Sequence, residues 1–295
     1  MRRGTALLAL LIVAGLVGCG SSAPRQAEMV FVSTRDGDYA LYGVDAARHE
    51  WRLTKAKGDP STPAGLFFQL QPAWSPDGAS IAFASRRDRT THIYVMRADG
   101  TGTRRLTGGA QDDSRPAWSP DGRQIAFARQ GELYVVAASG GSPHRLTHGL
   151  GGDAANPAWA PNGKLIAYDY RPAGFSIREL WVVRADGTDP RQVTHLRQAS
   201  EQPTWSPKGD RIAFQGNLRG SHFEIYSIAL DGRVLKRETN SSIDTIDPAW
   251  SPGGKAIAFS RDGAIWTVDR TGHATKLTSG GNDASPAWRP GPTAG

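Results

Sequence analysis

The tripeptide Pro-Ala-Trp, or one near copy of it, recurs six times along the chain. The copies end at Trp74, Trp118, Trp159, Trp205, Trp250 and Trp288, with spacings of 44, 41, 46, 45 and 38 residues. Only the copy at Trp205 varies the triplet, with threonine in place of alanine. A period of this length indicates an array of similar supersecondary units, and this restricts the possible folds more than any other feature.

Each repeat predicts four short strands. In the clearest copy, residues 71–107, an apolar segment ends at Trp74 and is followed by Ser-Pro-Asp-Gly. Proline, aspartate and glycine in this order favour a type I turn with a bulge, so a hairpin is expected there. The β-rich runs Ile81-Ala82-Phe83 and Ile93-Tyr94-Val95 follow, then an Asp-Gly turn and Leu106-Thr107.

The two ends of the chain complete one repeat. The N-terminal copy lacks the triplet but has the next three strand segments, Val30-Phe31, Leu41-Tyr42 and Leu53-Thr54, and the C-terminal copy stops after Pro286-Ala287-Trp288. Pairing them closes a ring and removes an exposed sheet edge. The sequence therefore predicts an all-β protein, a six-bladed β-propeller of four-stranded blades closed by three N-terminal strands and one C-terminal strand.

The motif Pro-Ala-Trp-Ser-Pro-Asp-Gly…Ile-Ala-Phe…Ile-Tyr-Val…Asp-Gly…Leu-Thr resembles the WD40-like repeats of the TolB β-propeller family. The resemblance covers residues 29–291 and implies the propeller fold. It also implies that the loop-rich face binds a partner protein. Members of the TolB type carry an α/β domain before the propeller. This chain resembles a lone propeller, because only residues 19–28 separate the predicted processing site from the first strand.

The N-terminus predicts export and lipid attachment. Arg2 and Arg3 precede an apolar run that is too short for a stable membrane span. The run ends in Leu-Val-Gly-Cys, which is similar to a bacterial lipobox with Cys19 as the acylated residue. Cys19 is the only cysteine, so it has no disulfide partner. The alternative is an ordinary secretory signal with an incidental cysteine.

These features divide the chain into a lipoprotein signal peptide (1–18), the lipidated cysteine and flexible tether (19–28), the propeller (29–291) and a tail (292–295). The anchored protein is expected on the outer side of the bacterial cytoplasmic membrane or in the outer membrane facing the periplasm. The net charge falls from +7 to +5 when residues 1–18, with two arginines and no acidic residue, are removed. This mild, dispersed charge argues against nucleic-acid binding, and a monomeric propeller is expected.

No catalytic constellation stands out. The chain has no Gly-x-Ser-x-Gly elbow, no His-Glu-x-x-His motif and no pair of cysteines. Its seven histidines are scattered along the repeats. We therefore predict no catalytic residues, no metal site and no cofactor, with a divalent cation at the channel mouth as the open alternative.

The repeat separates two faces of the propeller. Loops one-two and three-four lie on one face, the turn face, and carry the repeated Ser-Pro-Asp-Gly and Asp-Gly turns. Loops two-three and four-one lie on the opposite loop face and differ in length and composition, as recognition loops on a rigid scaffold do. Polar residues that precede each triplet proline are predicted to ring the channel mouth, with acidic residues upstream. The ring is Gln71, Arg115, Asn156, Gln202, Asp247 and Ser285; the acids are Asp112, Asp113, Asp153, Asp244 and Asp283.

These polar and acidic residues either form a partly acidic ligand site at the mouth or are solvated loop residues that cap the first strand of each blade. Two loops add aromatic residues: Phe67 and Phe68 in one, and Phe175 between Arg171 and Arg178 in the other. Exposed aromatics beside arginine are typical of interface hot spots. The six repeat tryptophans have the same register in every first strand, so we expect them to pack between blades rather than to bind sugars.

These observations predict a non-enzymatic recognition scaffold outside the cytoplasm that binds another cell-envelope protein through the loop face. The alternative is an enzyme acting on a carbohydrate or another small ligand at the channel mouth.

The lipobox interpretation predicts that Cys19→Ala abolishes acylation and membrane attachment while the propeller stays folded. The tether lies outside the blades, and stable anchoring requires the several acyl chains that a lipoprotein cysteine carries. Palmitate labelling combined with membrane fractionation measures this. Unchanged labelling of the variant would contradict the lipobox assignment.

Overall fold

The computed structural model describes residues 26–54, 69–86, 89–149 and 151–291, and its regular elements are 24 β-strands. They form six four-stranded antiparallel sheets arranged as the blades of a β-propeller, which confirms the predicted fold class. Cys19, Phe67, Phe68 and residues 292–295 lie outside the described residues. The described residues contain no helix long and apolar enough to cross a membrane.

Blade 1 is made from both ends of the chain: β24 (Ala284–Trp288), β1 (Met29–Ser33), β2 (Ala40–Val44) and β3 (Glu50–Arg52). Blade 2 is β4 (Gln69–Trp74), β5 (Ser80–Arg86), β6 (Thr91–Arg97) and β7 (Arg104–Arg105). Blade 3 is β8 (Asp113–Trp118), β9 (Gln124–Arg129), β10 (Glu132–Ala137) and β11 (His144–Arg145).

Blade 4 is β12 (Gly152–Trp159), β13 (Leu165–Pro172), β14 (Glu179–Arg184) and β15 (Arg191–Gln192). Blade 5 is β16 (Ser200–Trp205), β17 (Arg211–Gly216), β18 (Glu224–Ala229) and β19 (Lys236–Arg237). Blade 6 is β20 (Ile246–Trp250), β21 (Ala256–Arg261), β22 (Ala264–Asp269) and β23 (Ala274–Lys276).

The apolar core lies between the blades rather than within one of them. Each cluster of buried apolar side chains joins two adjacent blades, for example Phe83 and Tyr94 of blade 2 with Val30 and Leu41 of blade 1. Side chains of the second and third strands alternate between the two surfaces of a sheet, so each blade presents an apolar surface to both neighbours. No blade can bury its apolar residues alone.

Four of the six repeat tryptophans hydrogen-bond to the preceding blade. The indole Nε1–H of Trp118 donates to the Ala73 carbonyl of blade 2, at 3.1 Å. The same bond runs from Trp74 to Ala287, from Trp205 to Ala158 and from Trp288 to Ala249. In the described residues, Nε1 of Trp159 and of Trp250 is buried without a hydrogen-bond partner. Burial of the ring and this bond explain why the triplet recurs at one register.

Blade 1 is closed by the pairing of β1 with β24, in which Met29 lies opposite Trp288 and Val30 opposite Ala287. Two residues assigned to the tether by sequence also contact the ring. Ala27 is buried, and the Glu28 carbonyl accepts from Arg289 N at 2.7 Å. The ordered propeller therefore includes the last residues of the predicted tether.

A threonine at the end of each fourth strand holds that strand to the third. Its hydroxyl accepts from a buried main-chain N–H of the third strand at 2.8–3.0 Å; the pairs are Thr54–Leu41, Thr107–Ile93, Thr147–Leu133, Thr194–Leu180, Thr239–Ile225 and Thr278–Ile265. In five blades the hydroxyl also donates to a carboxylate: Asp113, Glu132, Glu179, Glu224 or Asp283. We call this arrangement the threonine clasp.

The clasp predicts that Thr239→Val is strongly destabilising. Valine has nearly the same shape, but it leaves the buried Ile225 N–H without an acceptor and removes one donor from Glu224. An unsatisfied buried group costs about 1–3 kcal/mol. Chemical denaturation measures the loss, with Thr101→Val in an exposed turn as the control. Equal stabilities of the two variants would contradict the clasp.

Ring closure predicts that deletion of residues 285–295 causes aggregation or a sharply lower melting temperature. The deletion removes most of β24, exposes the edge of β1 and takes Trp288 from its inter-blade contact. Loss of one large buried aromatic costs about 3–5 kcal/mol, against a typical stability of about 5–15 kcal/mol. Deletion of residues 292–295 alone is the control. Light scattering and a thermal melt distinguish the two, and a stable monomeric 285–295 deletion would contradict this closure.

Candidate functional site

Six residues before the triplet prolines line a cavity of about 300 Å³ at the channel mouth, as the sequence predicts. Each has a positive φ in the left-handed region: Gln71 (53°), Arg115 (57°), Asn156 (53°), Gln202 (54°), Asp247 (56°) and Ser285 (51°). Non-glycine residues seldom adopt this conformation, and its energetic cost must be offset by the surrounding structure.

The conformation results from a β-bulge in every first strand. The register shifts between the ring residue's neighbours, for example between Leu70 and Ala73 in blade 2. Proline is tolerated there because the first strand is the inner edge strand, whose ladder has no further partner. The bulge occurs in all six blades and therefore belongs to the architecture. The side chains that it carries differ, and they determine the chemistry of the mouth.

Side-chain acceptors link the ring from blade to blade. The Arg115 main-chain N–H donates to Gln71 Oε1 at 3.1 Å, and the Ser285 N–H donates to Asp247 Oδ2 at 3.1 Å. Gln215 Oε1 accepts from the Asp247 N–H at 3.0 Å. These bonds satisfy amide groups that the bulges release from the ladder.

Asp169 is the most connected carboxylate near the mouth, and the sequence reasoning did not single it out. It is fully buried and accepts from Gln202 N at 2.9 Å, Asn156 Nδ2 at 2.5 Å and Arg178 Nη1 at 2.7 Å. Burial raises the pKa of its carboxyl, and the Gln202 hydrogen bond and the Arg178 charge offset part of the rise. Its position inside the second strand of blade 4, directly after the apolar run 165–168, is where an acid is unexpected, and this could have identified it from the sequence.

Arg115 differs from the other ring members because its guanidinium makes no hydrogen bond or ion pair with any described residue. Burial lowers the pKa of this guanidinium, and the more distant carboxylates of Asp169 and Asp247 partly offset the effect. A partly buried cation without a contacting partner is unfavourable unless a ligand supplies one.

The predicted acids are not gathered at the mouth. Asp113 and Asp283 are buried in threonine clasps, where they pair with Arg129 and Arg35 respectively. Asp112 accepts from Thr91 N, and Asp244 accepts from Phe223 N at 2.8 Å in another loop. Within the described ranges, no group of three His, Cys, Asp or Glu residues could hold a metal ion. Among the predicted acids and ring carboxylates, only Asp247 lines the mouth.

The loop face differs between blades in the way the sequence predicts. Blade 3 turns with two residues, Gln130 and Gly131, both with positive φ, which is the type I′ geometry of a tight hairpin. Blade 4 instead projects a longer loop, in which Phe175 is 69% exposed and Ile177 38% exposed. Tyr170 of the same region is buried against Trp181, with ring centroids 5.4 Å apart.

Arginines hold the base of this blade 4 loop. Arg178 pairs with Asp153 and also with Asp169, and Arg171 pairs with Asp153 at 3.2 Å. The chain of contacts runs from the exposed loop through Asp169 to the ring amide of Gln202. The base of the loop and the ring are therefore joined by a hydrogen-bond network that passes through the buried carboxylate of Asp169.

Comparison with known proteins agrees with this architecture. The sequence matches the TolB beta propeller domain over residues 64–179 and 152–294. A segment of 50 residues is 42% identical to the Tol-Pal system protein TolB of Alkalilimnicola ehrlichii, which is 17% of this chain and 11% of that protein.

Two solved structures share the fold. TolB from Acinetobacter baumannii superposes with a TM-score of 0.73 at 20% identity, over 89% of this chain and 66% of that one. A putative TolB from Agrobacterium tumefaciens gives a TM-score of 0.65 at 20% identity, over 85% and 88% of the two chains. The chain thus spans slightly less than two thirds of the A. baumannii protein. The family match covers most of this sequence, and the chain belongs to the TolB β-propeller family.

Proposed function

We propose that this propeller is a non-enzymatic scaffold that binds another protein of the cell envelope through its loop face. The observation that carries the proposal is that two features break the symmetry of the loop face: Arg115, which lines the mouth without a contacting partner among the described residues, and the blade 4 loop, which exposes Phe175. Family membership and the similarity to a Tol-Pal system protein support an envelope location. In this proposal acylated Cys19 holds the scaffold at the membrane surface.

The loop supplies the apolar part of the interface. Phe175 and Ile177 project from a loop whose base is fixed by the Arg178 ion pairs, so their binding costs little ordering entropy. Arg171 lies beside them and pairs only with the half-exposed carboxylate of Asp153. Aromatic and arginine side chains in this arrangement contribute most of the binding energy of many interfaces.

Arg115 supplies the polar anchor. Its guanidinium faces the mouth without a contacting carboxylate, so an acidic side chain or a C-terminal carboxylate of the partner would complete a charge-assisted pair. The cavity admits a single side chain or chain end rather than a folded element, which suits an extended segment of the partner. From the sequence alone, we also propose that Phe67 and Phe68, which precede β4 and lie outside the described residues, contribute to this surface.

We predict that Phe175→Ala and Arg115→Gln each reduce capture of the partner from envelope extract at least tenfold without lowering the melting temperature. Truncating a hot-spot residue costs about 2 kcal/mol or more in binding, whereas Phe175 contributes little to the fold because it is exposed. Quantitative mass spectrometry of the captured proteins measures the effect.

The matched control is Val234→Ala, because Val234 is as exposed as Phe175, at 70%, but lies on the turn face. It should retain capture within about twofold, as expected for a surface site outside the interface. Loss of the partner with Val234→Ala and retention with both loop-face variants would show that the opposite face binds.

A further inference from the structure

The turn face is less uniform than its repeated sequence suggests. In blades 2 and 3 the third turn residue is Asp77 or Asp121, and each accepts from the serine hydroxyl of its own turn. At the same positions blade 5 has Lys208 and blade 6 has Gly253. The blade 6 turn has therefore lost its carboxylate, whereas the blade 5 turn has gained an ammonium group and keeps a serine–carboxylate bond through Asp210, directly after the turn glycine.

A groove of about 360 Å³ lies at this junction. Trp250, Ile257 and Val268 provide its apolar lining. Its charged lining consists of five basic residues, Lys208, Arg211, Lys236, Lys255 and Arg270, and three acidic ones, Asp210, Glu238 and Asp269. The lining thus has a net positive charge of two.

The acids of the groove already have donors. Asp210 accepts from the Ser206 hydroxyl at 2.6 Å, Asp269 accepts from the Thr271 hydroxyl at 2.6 Å, and Glu238 accepts from Ser227 and Lys236. These contacts hold the carboxylates on their own blades, and Asp210 also feels the charges of Lys208 and Arg211, although it makes no ion-pair contact with either group.

Most of the cations have no acidic partner. Arg211 donates only to the Ser227 hydroxyl and to carbonyls, and Arg270 donates only to the Gly254 carbonyl. Within the described part of the chain, the ammonium groups of Lys208 and Lys255 make no hydrogen bond or ion pair. Hydrogen bonds to neutral acceptors thus hold the guanidinium groups of Arg211 and Arg270 in the groove, and neither group makes an ion-pair contact with a described carboxylate.

The corresponding groove between blades 2 and 3 provides an internal comparison. It lies at the same place in the repeat, and its charged lining is Asp77, Asp121, Arg97 and Arg104, two acids and two bases. A groove at this position between two blades is therefore not positively charged in every case. The excess of positive charge arises from the residues specific to blades 5 and 6.

We propose that the groove between blades 5 and 6 binds a small phosphate monoester whose organic part lies against Trp250. A phosphate monoester carries a charge of about −1.5 to −2 at neutral pH, which matches the excess charge of the lining. Lysine ammonium groups bind phosphate as mobile point charges, and arginines add directed donors. The site lies on the turn face, so it does not depend on the proposed partner surface.

Titration calorimetry of the full mature chain at low salt tests the site with three probes: glucose 6-phosphate, inorganic phosphate and glucose. We expect both phosphates to bind, glucose 6-phosphate more tightly, and glucose not to bind. Equal heats for glucose and glucose 6-phosphate would overturn the proposal.

The decisive variant is Lys208→Asp combined with Gly253→Asp. It gives both turns the Ser-Pro-Asp-Gly sequence that folds in blades 2 and 3, and neither position has a positive φ. The space around Gly253 is open, with its nearest neighbour, the Lys255 side chain, 4.0 Å from an added Cβ. We expect at least a tenfold loss of affinity and an unchanged melting temperature.

The matched control is Lys164→Gln, which removes a lysine from the register of Lys255 in blade 4 and should change affinity by less than twofold. Co-sedimentation with vesicles that contain phosphatidic acid, whose headgroup is a phosphate monoester, separates a lipid phosphate from a soluble one when the Cys19→Ala chain is used. Vesicle binding that the double variant abolishes would assign the phosphate to a lipid headgroup and support the site. Undiminished phosphate binding by the double variant, or an equal loss with Lys164→Gln, would refute it.

Discussion

The pairing of β24 with β1 is the interaction on which the rest of the molecule depends. Every apolar cluster joins two blades, so an open array would expose one blade surface at each end. The Met29–Trp288 register closes the ring, and the indole of Trp288 then bonds to blade 6 as those of Trp74, Trp118 and Trp205 bond to their preceding blades. Closure joins the six sheets into one scaffold. Blade 1 is therefore complete only when its three N-terminal strands pair with the C-terminal strand β24.

Much of this architecture could be predicted from the sequence, because every copy of the repeat has its strand and turn residues at the same positions. The tryptophan register, the Ser-Pro-Asp-Gly turns and the shared blade each leave a local pattern, and the ring of polar residues follows from their fixed offset to proline. The threonine clasp could not be predicted because its carboxylate lies before the threonine in some blades and after it in others. Asp113 follows Thr107 by six residues, whereas Glu224 precedes Thr239 by 15 residues. No single spacing reveals such a pair, so Asp113 and Asp283 resembled loop acids.

The chemistry of the molecule lies where blades depart from the repeat. Positive φ occurs at all six ring positions and is architectural, but among the described residues that line the mouth only Arg115 is a cation, and it has no contacting partner. Among the described residues, the blade 4 loop leaves the aromatic side chain of Phe175 exposed, in contrast to the two-residue turn of blade 3. On the other face, Lys208 replaces a turn aspartate and alters the charge of one groove. A symmetric ring offers six equivalent surfaces, and selectivity requires that this equivalence be broken.

The central claim, that recognition takes place on the loop face, is tested most directly by site-specific photocrosslinking in cells. A benzophenone amino acid is placed at position 175 or at position 234, two sites of nearly equal exposure, 69% and 70%, on opposite faces. Equal exposure gives both probes the same opportunity for random collisions, so a difference reports a specific contact. The account predicts a discrete covalent adduct with one envelope protein from position 175 and none from position 234. An adduct formed only from position 234 would contradict it.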